Sequence, residues 1–136
     1  MILADAAPQI AAFNEDDPDH GRCARFLLEA REAFAIPSVV ITEVVYFLAR
    51  EKKFAAEVRF LRVLASGSLP VVEPRASDFL RASDLVEQYA GFPLGTVDAL
   101  IVAMAERLKV TTILTLDRRH FGAIRPIHCD WFTLVP

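Results

Sequence analysis

An α/β fold, with helices covering a parallel sheet, is what this sequence predicts, and three observations lead there. Short apolar runs that read as buried strands alternate along the chain with longer segments of helical period. The run VTTILTL over 110–116 is dominated by β-branched residues, which favour strands. Asp5 and Asp117 each follow such a run directly, where an open parallel sheet keeps its ligand crevice. With 136 residues, 54 % of them hydrophobic, the chain is expected to form one domain over 1–136 with a substantial core.

The elements follow in order. Met1 to Ala4 reads as a strand, and a short helix is expected around Gln9 to Asn14. Asp17-Pro18 is placed at the start of a second helix, since proline suits a first helical turn, with Phe26 and Leu27 on its buried side. Ala35-Ile36 reads as a short strand, followed by a helix from Pro37-Ser38 to about Arg50 with Ser38 as its cap. In FAAEVRFLRVL, Phe54, Val58 and Leu61 form one apolar stripe before Gly67 stops the helix. LPVVEP is a short strand bounded by prolines. Ser77 to Tyr89 is amphipathic, with Phe79, Leu80, Leu85 and Val86 expected inward. GFPLGT over 91–96 is a loop, and Thr96 is expected to cap a helix from Val97 to about Leu108. WFTLV near the end supplies a last strand.

Composition narrows the function. The formal charge of −3, from 15 Lys and Arg against 18 Asp and Glu, argues against a protein that coats nucleic acid without selection. It is compatible with a nuclease, because acids neutralised by metal leave the remaining surface close to balance. The N-terminus lacks the basic start of a signal peptide, and no apolar run approaches the roughly 20 residues of a membrane span. Two distant cysteines, Cys23 and Cys129, fit a reduced cytoplasmic protein. His20 with Cys23, and His128 with Cys129, do not have the four-ligand spacing of a zinc site.

Four carboxylates sit in apolar neighbourhoods: Asp5, Glu43, Asp98 and Asp117. Burying an unpaired carboxylate costs several kcal/mol (order of magnitude) or forces it to hold a proton. Asp5 and Asp117 can each be helix caps, Asp98 a partner of its helix dipole, and Glu43 the partner of a buried arginine. Taken together they repel one another unless a cation sits among them, and hard oxygen ligands select Mg²⁺ or Mn²⁺. A cation so held suits phosphodiester hydrolysis without any nucleophilic side chain. No Ser-His-Asp arrangement, phosphate-binding glycine loop or H-E-x-x-H motif competes with that reading.

MILAD at the start, IPSVVITEVVYFL around Glu43, FPLGTVDALIVAMAERL over 92–108 and TILTLDRRHF near the end resemble the PIN-domain family, and within it the VapC-type toxins of bacterial toxin–antitoxin pairs. The resemblance spans the chain. It implies a three-layer α/β/α fold with a central parallel sheet of four to five strands, and endoribonuclease activity. It also implies frequent homodimers and inhibition by a small antitoxin encoded alongside. The metal role, for Mg²⁺ or Mn²⁺, carries onto Asp5, Glu43, Asp98 and Asp117. One position departs from the pattern: the family usually follows its first Asp with Thr or Ser, and here Ala6 and Ala7 follow Asp5. A weakened site is the expectation, with Thr96 or Thr115 as sources of a replacement hydroxyl.

Arg118, Arg119 and His120 follow Asp117, where cations can meet RNA phosphates or simply pair nearby acids. Arg50, Lys52 and Lys53 read as a polar turn. The stripe of Phe54, Val58 and Leu61, with Phe47 and Leu48, is core or, by the resemblance, an antitoxin or dimer face. Two other classes compete with the nuclease. One is a PIN scaffold that binds RNA or an antitoxin-like partner without cutting. The other is a receiver-like signalling domain, which lacks its paired acid beside Asp5 and its lysine in the C-terminal tail.

Overall fold

A computed structural model of the chain describes residues 1–92 and 94–136, so Pro93 of the expected 91–96 loop lies outside the described residues. Five parallel strands form the sheet: β1 (Ile2–Ala4), β2 (Phe34–Pro37), β3 (Val71–Val72), β4 (Thr112–Leu114) and β5 (Thr133–Val135). Seven helices are described: α1 (Ala6–Phe13), α2 (His20–Glu29), α3 (Ser38–Arg50), α4 (Phe54–Ala65), α5 (Ala76–Gln88), α6 (Thr96–Leu108) and α7 (Arg118–Ala123). The strand order is β3-β2-β1-β4-β5, with Leu3 of β1 opposite Ala35 on one side and Ile113 on the other. Helices α1 to α4 pack together and α5 packs on α6, which gives the three-layer α/β/α architecture that the sequence predicts.

The three residues of β1 are buried throughout, as a strand covered on both faces must be. Helix α6 is buried at every residue from Ala99 to Glu106, in keeping with its apolar sequence. Because the chain leaves β1 toward β2 and β3 but returns to β4 on the other side, the order reverses between β1 and β4. The carboxyl ends of the two strands meet there, which is where an open parallel sheet has its ligand crevice.

Several boundaries differ from expectation, each for a local reason. Helix α1 begins at Ala6, because the Asp5 carboxylate accepts the Ala6 N–H. Asp17 accepts the N–H of Asp19, so Asp17-Pro18 forms a turn and α2 starts at His20. Ser38 is not a cap: its hydroxyl donates to Glu73 at 2.6 Å, beside the end of β3. Thr96 is not a cap either, since Gly95 holds that place and Thr96 is the first helical residue.

Two apolar stripes lie on other faces than the sequence suggests. In α4 the buried residues are Ala56 and Phe60, the latter edge-on to Phe13, whereas Phe54 is 75 % and Leu61 48 % exposed. In α5 Leu85 is inward as expected, but Phe79, Leu80 and Val86 face solvent. The buried face of α5 is Asp78, Ala82 and Leu85, and an ion pair turns it. Arg107 of α6 meets the Asp78 carboxylate at 2.8 Å, and Arg81 holds Glu106 at 2.7 and 3.0 Å. Burial pushes the Asp78 carboxyl up, and the Arg107 guanidinium and the Arg75 N–H outweigh it and hold it below its ordinary value.

Candidate active site

The crevice collects the acids. Asp5 sits at the end of β1, almost fully buried. Its Oδ1 accepts from the Ala6 N–H at 2.7 Å and its Oδ2 from the Thr115 hydroxyl at 2.8 Å. Thr115, fully buried just beyond β4, accepts in turn from the Asp117 N–H at 2.9 Å. One hydroxyl thus ties the first acid to the last. Asp117 caps α7 by accepting from the His120 N–H at 2.9 Å, and its other oxygen receives the His120 Nδ1–H at 2.5 Å. Asp5 and Asp117 are therefore helix caps and members of the cluster at once.

Asp98 arrives from the first turn of α6. Asp98, Asp117 and His120 each bring a donor atom within 4.8 Å of the others, and neither His–Cys pair gathers into such a group among the described residues. Electrostatics reflect this crowding. Burial, followed by the charges of Asp5 and Asp117, raises the Asp98 carboxyl to about 6. Asp5 is raised by burial and by Asp117, against the pull of Thr115 and Ala6. For Asp117 burial acts upward, but the contacts from His120 win and hold it below its ordinary value.

Glu43, expected in an apolar neighbourhood, is instead exposed on α3. Its carboxyl is raised by partial desolvation and by the Asp5 charge, and it is not one of the residues whose donor atoms converge. Thr96 is not brought to the acids. Two residues before Asp98 on a helix, it points away from it, is exposed, and lines a cleft with Phe79 and Val86 of α5. Arg118 spends its guanidinium on the carbonyls of Leu134 and Pro136. Arg119 lies over the Phe92 ring at 5.3 Å, and the same ring meets His120 edge-on at 5.2 Å.

Sequence reasoning missed two features. The sequence groups His120 with Arg118 and Arg119 as a cation, whereas the structure sets its ring within the acidic cluster. The signal is its i, i+3 spacing from Asp117 at a helix start. Phe92, in an irregular loop, carried no periodicity to mark it.

The donor set fits a divalent cation: two carboxylates, Asp98 and Asp117, converge with the His120 imidazole, and burial and the charges of Asp5 and Asp117 raise Asp98. Comparison with known proteins identifies the family. The PIN domain family model matches residues 2–125. Ribonuclease VapC26 of Mycobacterium tuberculosis is 33 % identical over 135 residues, covering 99 % of this chain and all of that protein. Among solved structures, M. tuberculosis VapC20, described as a sarcin-ricin loop cleaving toxin, superimposes with a TM-score of 0.83. The identity there is 18 %, over 96 % of this chain and 99 % of that one. VapBC2 from Rickettsia felis, bound to a DNA fragment from its promoter, matches with a TM-score of 0.72 at 21 % identity, over 98 % of this chain and 97 % of that one. The fold, the acids at the β1/β4 crevice, the family match and the full-length relative converge: the chain belongs to the PIN-domain family, among its VapC-type members.

Proposed function

We propose that this protein is a metal-dependent endoribonuclease acting in the cytoplasm as the toxin of a toxin–antitoxin pair. The observation that carries the reading is the convergence of Asp98 and Asp117 beside Asp5, with Asp98 raised to about 6 by burial and by its two neighbours. Asp5, Asp98 and Asp117 would hold Mg²⁺ or Mn²⁺. When bound, the cation supplies charge neutralisation at the scissile phosphate and acidifies an attacking water. Glu43, exposed on α3, would ligate the cation or orient that water. Thr115 fixes Asp5 relative to Asp117. Arg119 reaches phosphate from its seat over Phe92, whereas Arg118, occupied by backbone carbonyls, steadies α7 against the last strand.

A catalytically inactive scaffold is the competing reading, motivated by Ala6 and Ala7. The Thr115 hydroxyl on Asp5 supplies the missing hydrogen bond from another strand and so favours catalysis. Support for an antitoxin partner comes from a cleft of about 350 Å³ between α1, α2 and α4, lined by Phe13, Leu27, Leu28 and Val63, with Leu28 86 % exposed. Related structures include a toxin–antitoxin complex from Klebsiella pneumoniae. The outward Phe79 and Leu80 of α5 offer an apolar surface suited to a homodimer.

Purified protein incubated with structured RNA should cleave it in Mg²⁺ or Mn²⁺ and stop in EDTA. Asp98→Asn should lower the rate ~100-fold or more. Cleavage that persists in EDTA, or an Asp98→Asn variant as active as the parent, would overturn the proposal.

A further inference from the structure

We infer that Phe92 is the residue on which this protein stacks an unpaired base beside the scissile phosphate, while Arg119 takes the phosphate. The inference rests on the nuclease reading above and adds to it the kind of nucleotide that the site accepts. Phe92 is half-buried in the loop before α6, its N–H donating to the Tyr89 carbonyl at 2.9 Å. Among the described residues it does not pack against the hydrophobic core, as Phe13, Phe26, Phe34 and Phe47 do. What its ring meets instead belongs to the site: the His120 ring edge-on at 5.2 Å, and the Arg119 guanidinium at 5.3 Å. His120 in turn holds the Asp117 carboxylate. An aromatic ring that the core does not account for is thus anchored one side chain away from the acids.

The two arginines after Asp117 are not equivalent. Arg118 donates to the carbonyls of Leu134 and Pro136. Arg119 is exposed, and among the described residues its side chain meets the Phe92 ring but neither a carboxylate nor a carbonyl. A guanidinium over a ring at an exposed position is held weakly, so its fork can turn to a phosphate and free the ring face it covers. Aromatic faces are what proteins offer to unpaired RNA bases, since every base has a π-face of its own. In a paired stretch that face is taken by the neighbouring base pairs. A nucleotide cut here therefore lies in a loop, a bulge or a single strand. Stacking reads no hydrogen-bond pattern, so Phe92 selects the unpaired state rather than one particular base.

Total bacterial RNA treated with the parent in Mg²⁺ or Mn²⁺ supplies mapped cuts, which should fall at unpaired nucleotides. A short hairpin RNA carrying one such site then serves as substrate, intact or with one flanking base removed at a time. On the intact hairpin, Phe92→Leu should lower kcat/KM ~10-fold or more, and Phe92→Trp should recover most of the loss. Removing the stacked base should cost the parent a similar factor, and Phe92→Leu less than ~2-fold further, because ring and base form one interaction. Calorimetric cation affinity should move by less than ~3-fold in Phe92→Leu, which separates stacking from a disturbance of the acids. Cuts within paired stretches, losses that multiply, or a Phe92→Leu variant as active as the parent overturn the inference and leave the metal-dependent nuclease standing. Cation affinity that falls in step with activity overturns it too, since the ring is then only a prop for His120. Total RNA left uncut by the parent overturns the proposed function, and the role of Phe92 with it.

Discussion

The Thr115 hydroxyl donates to Asp5 Oδ2 and accepts from the Asp117 N–H, so one oxygen sets the spacing of two acids that come from different strands. Thr115→Val keeps the shape and removes both bonds. Cation affinity should drop about 10- to 100-fold and stability by about 1–3 kcal/mol, read by calorimetry and urea unfolding, with Thr115→Ser restoring most of both. Asp98 makes a second prediction, on pH. Its carboxyl titrates near 6 in the folded chain and near 3.8 when unfolded, so between those values the native state holds a proton that the unfolded state has lost. Stability of the metal-free protein should therefore fall as pH rises from about 4 through 6. Melting in EDTA should show a higher Tm at pH 5 than at pH 8, and Asp98→Asn should raise the pH 8 value. Gln9 gives a third. It is fully buried with neither amide atom hydrogen-bonded among the described residues, so Gln9→Leu should stabilise by about 1–2 kcal/mol in chemical denaturation. Asp5, Thr115 and Asp117 could be picked out in the sequence because polar groups beside strands stand out against apolar runs, and Asp98 because the rest of α6 is apolar. The exposure of Glu43 could not, since it depends on how α3 is rotated against its neighbours.

Helix α5 shows why a periodic pattern identifies a helix yet can misplace its face. Phe79, Leu80, Leu85 and Val86 make a plausible apolar side, but a charged residue sets the orientation. Asp78 lies inside against Arg107, and Ala82 and Leu85 follow it inward at helical spacing. Removing one partner leaves the other buried and unpaired, so Asp78→Ala should cost about 3–5 kcal/mol, whereas Phe79→Ser should stay within about 0.5 kcal/mol. Urea denaturation of the two variants compares them directly, and the reverse order would mean that the face is misassigned. The same lesson holds in α4, where Phe60, edge-on to Phe13, is the anchor and Phe54 is not. Hydrophobicity alone ranks these two phenylalanines equally; only the neighbouring helix separates them.

Across the whole molecule, the strands and their parallel sense were legible from apolar runs separated by helices. The sheet order was not, because β1 pairs with β4 across more than a hundred residues and no local signal records such a partner. That order has a practical corollary. In a sheet whose strands all run one way, every turn from strand to helix lies at one end, and every return from helix to strand at the other. Asp5, Thr115 and Asp117 all belong to the first end. The return segments at 30–33, 66–70 and 109–111 belong to the second, and Arg31 and Lys109 there are exposed. A fluorophore or immobilisation handle attached at Arg31 can report on the molecule, or fix it to a surface, with the sheet standing between the attachment and the crevice.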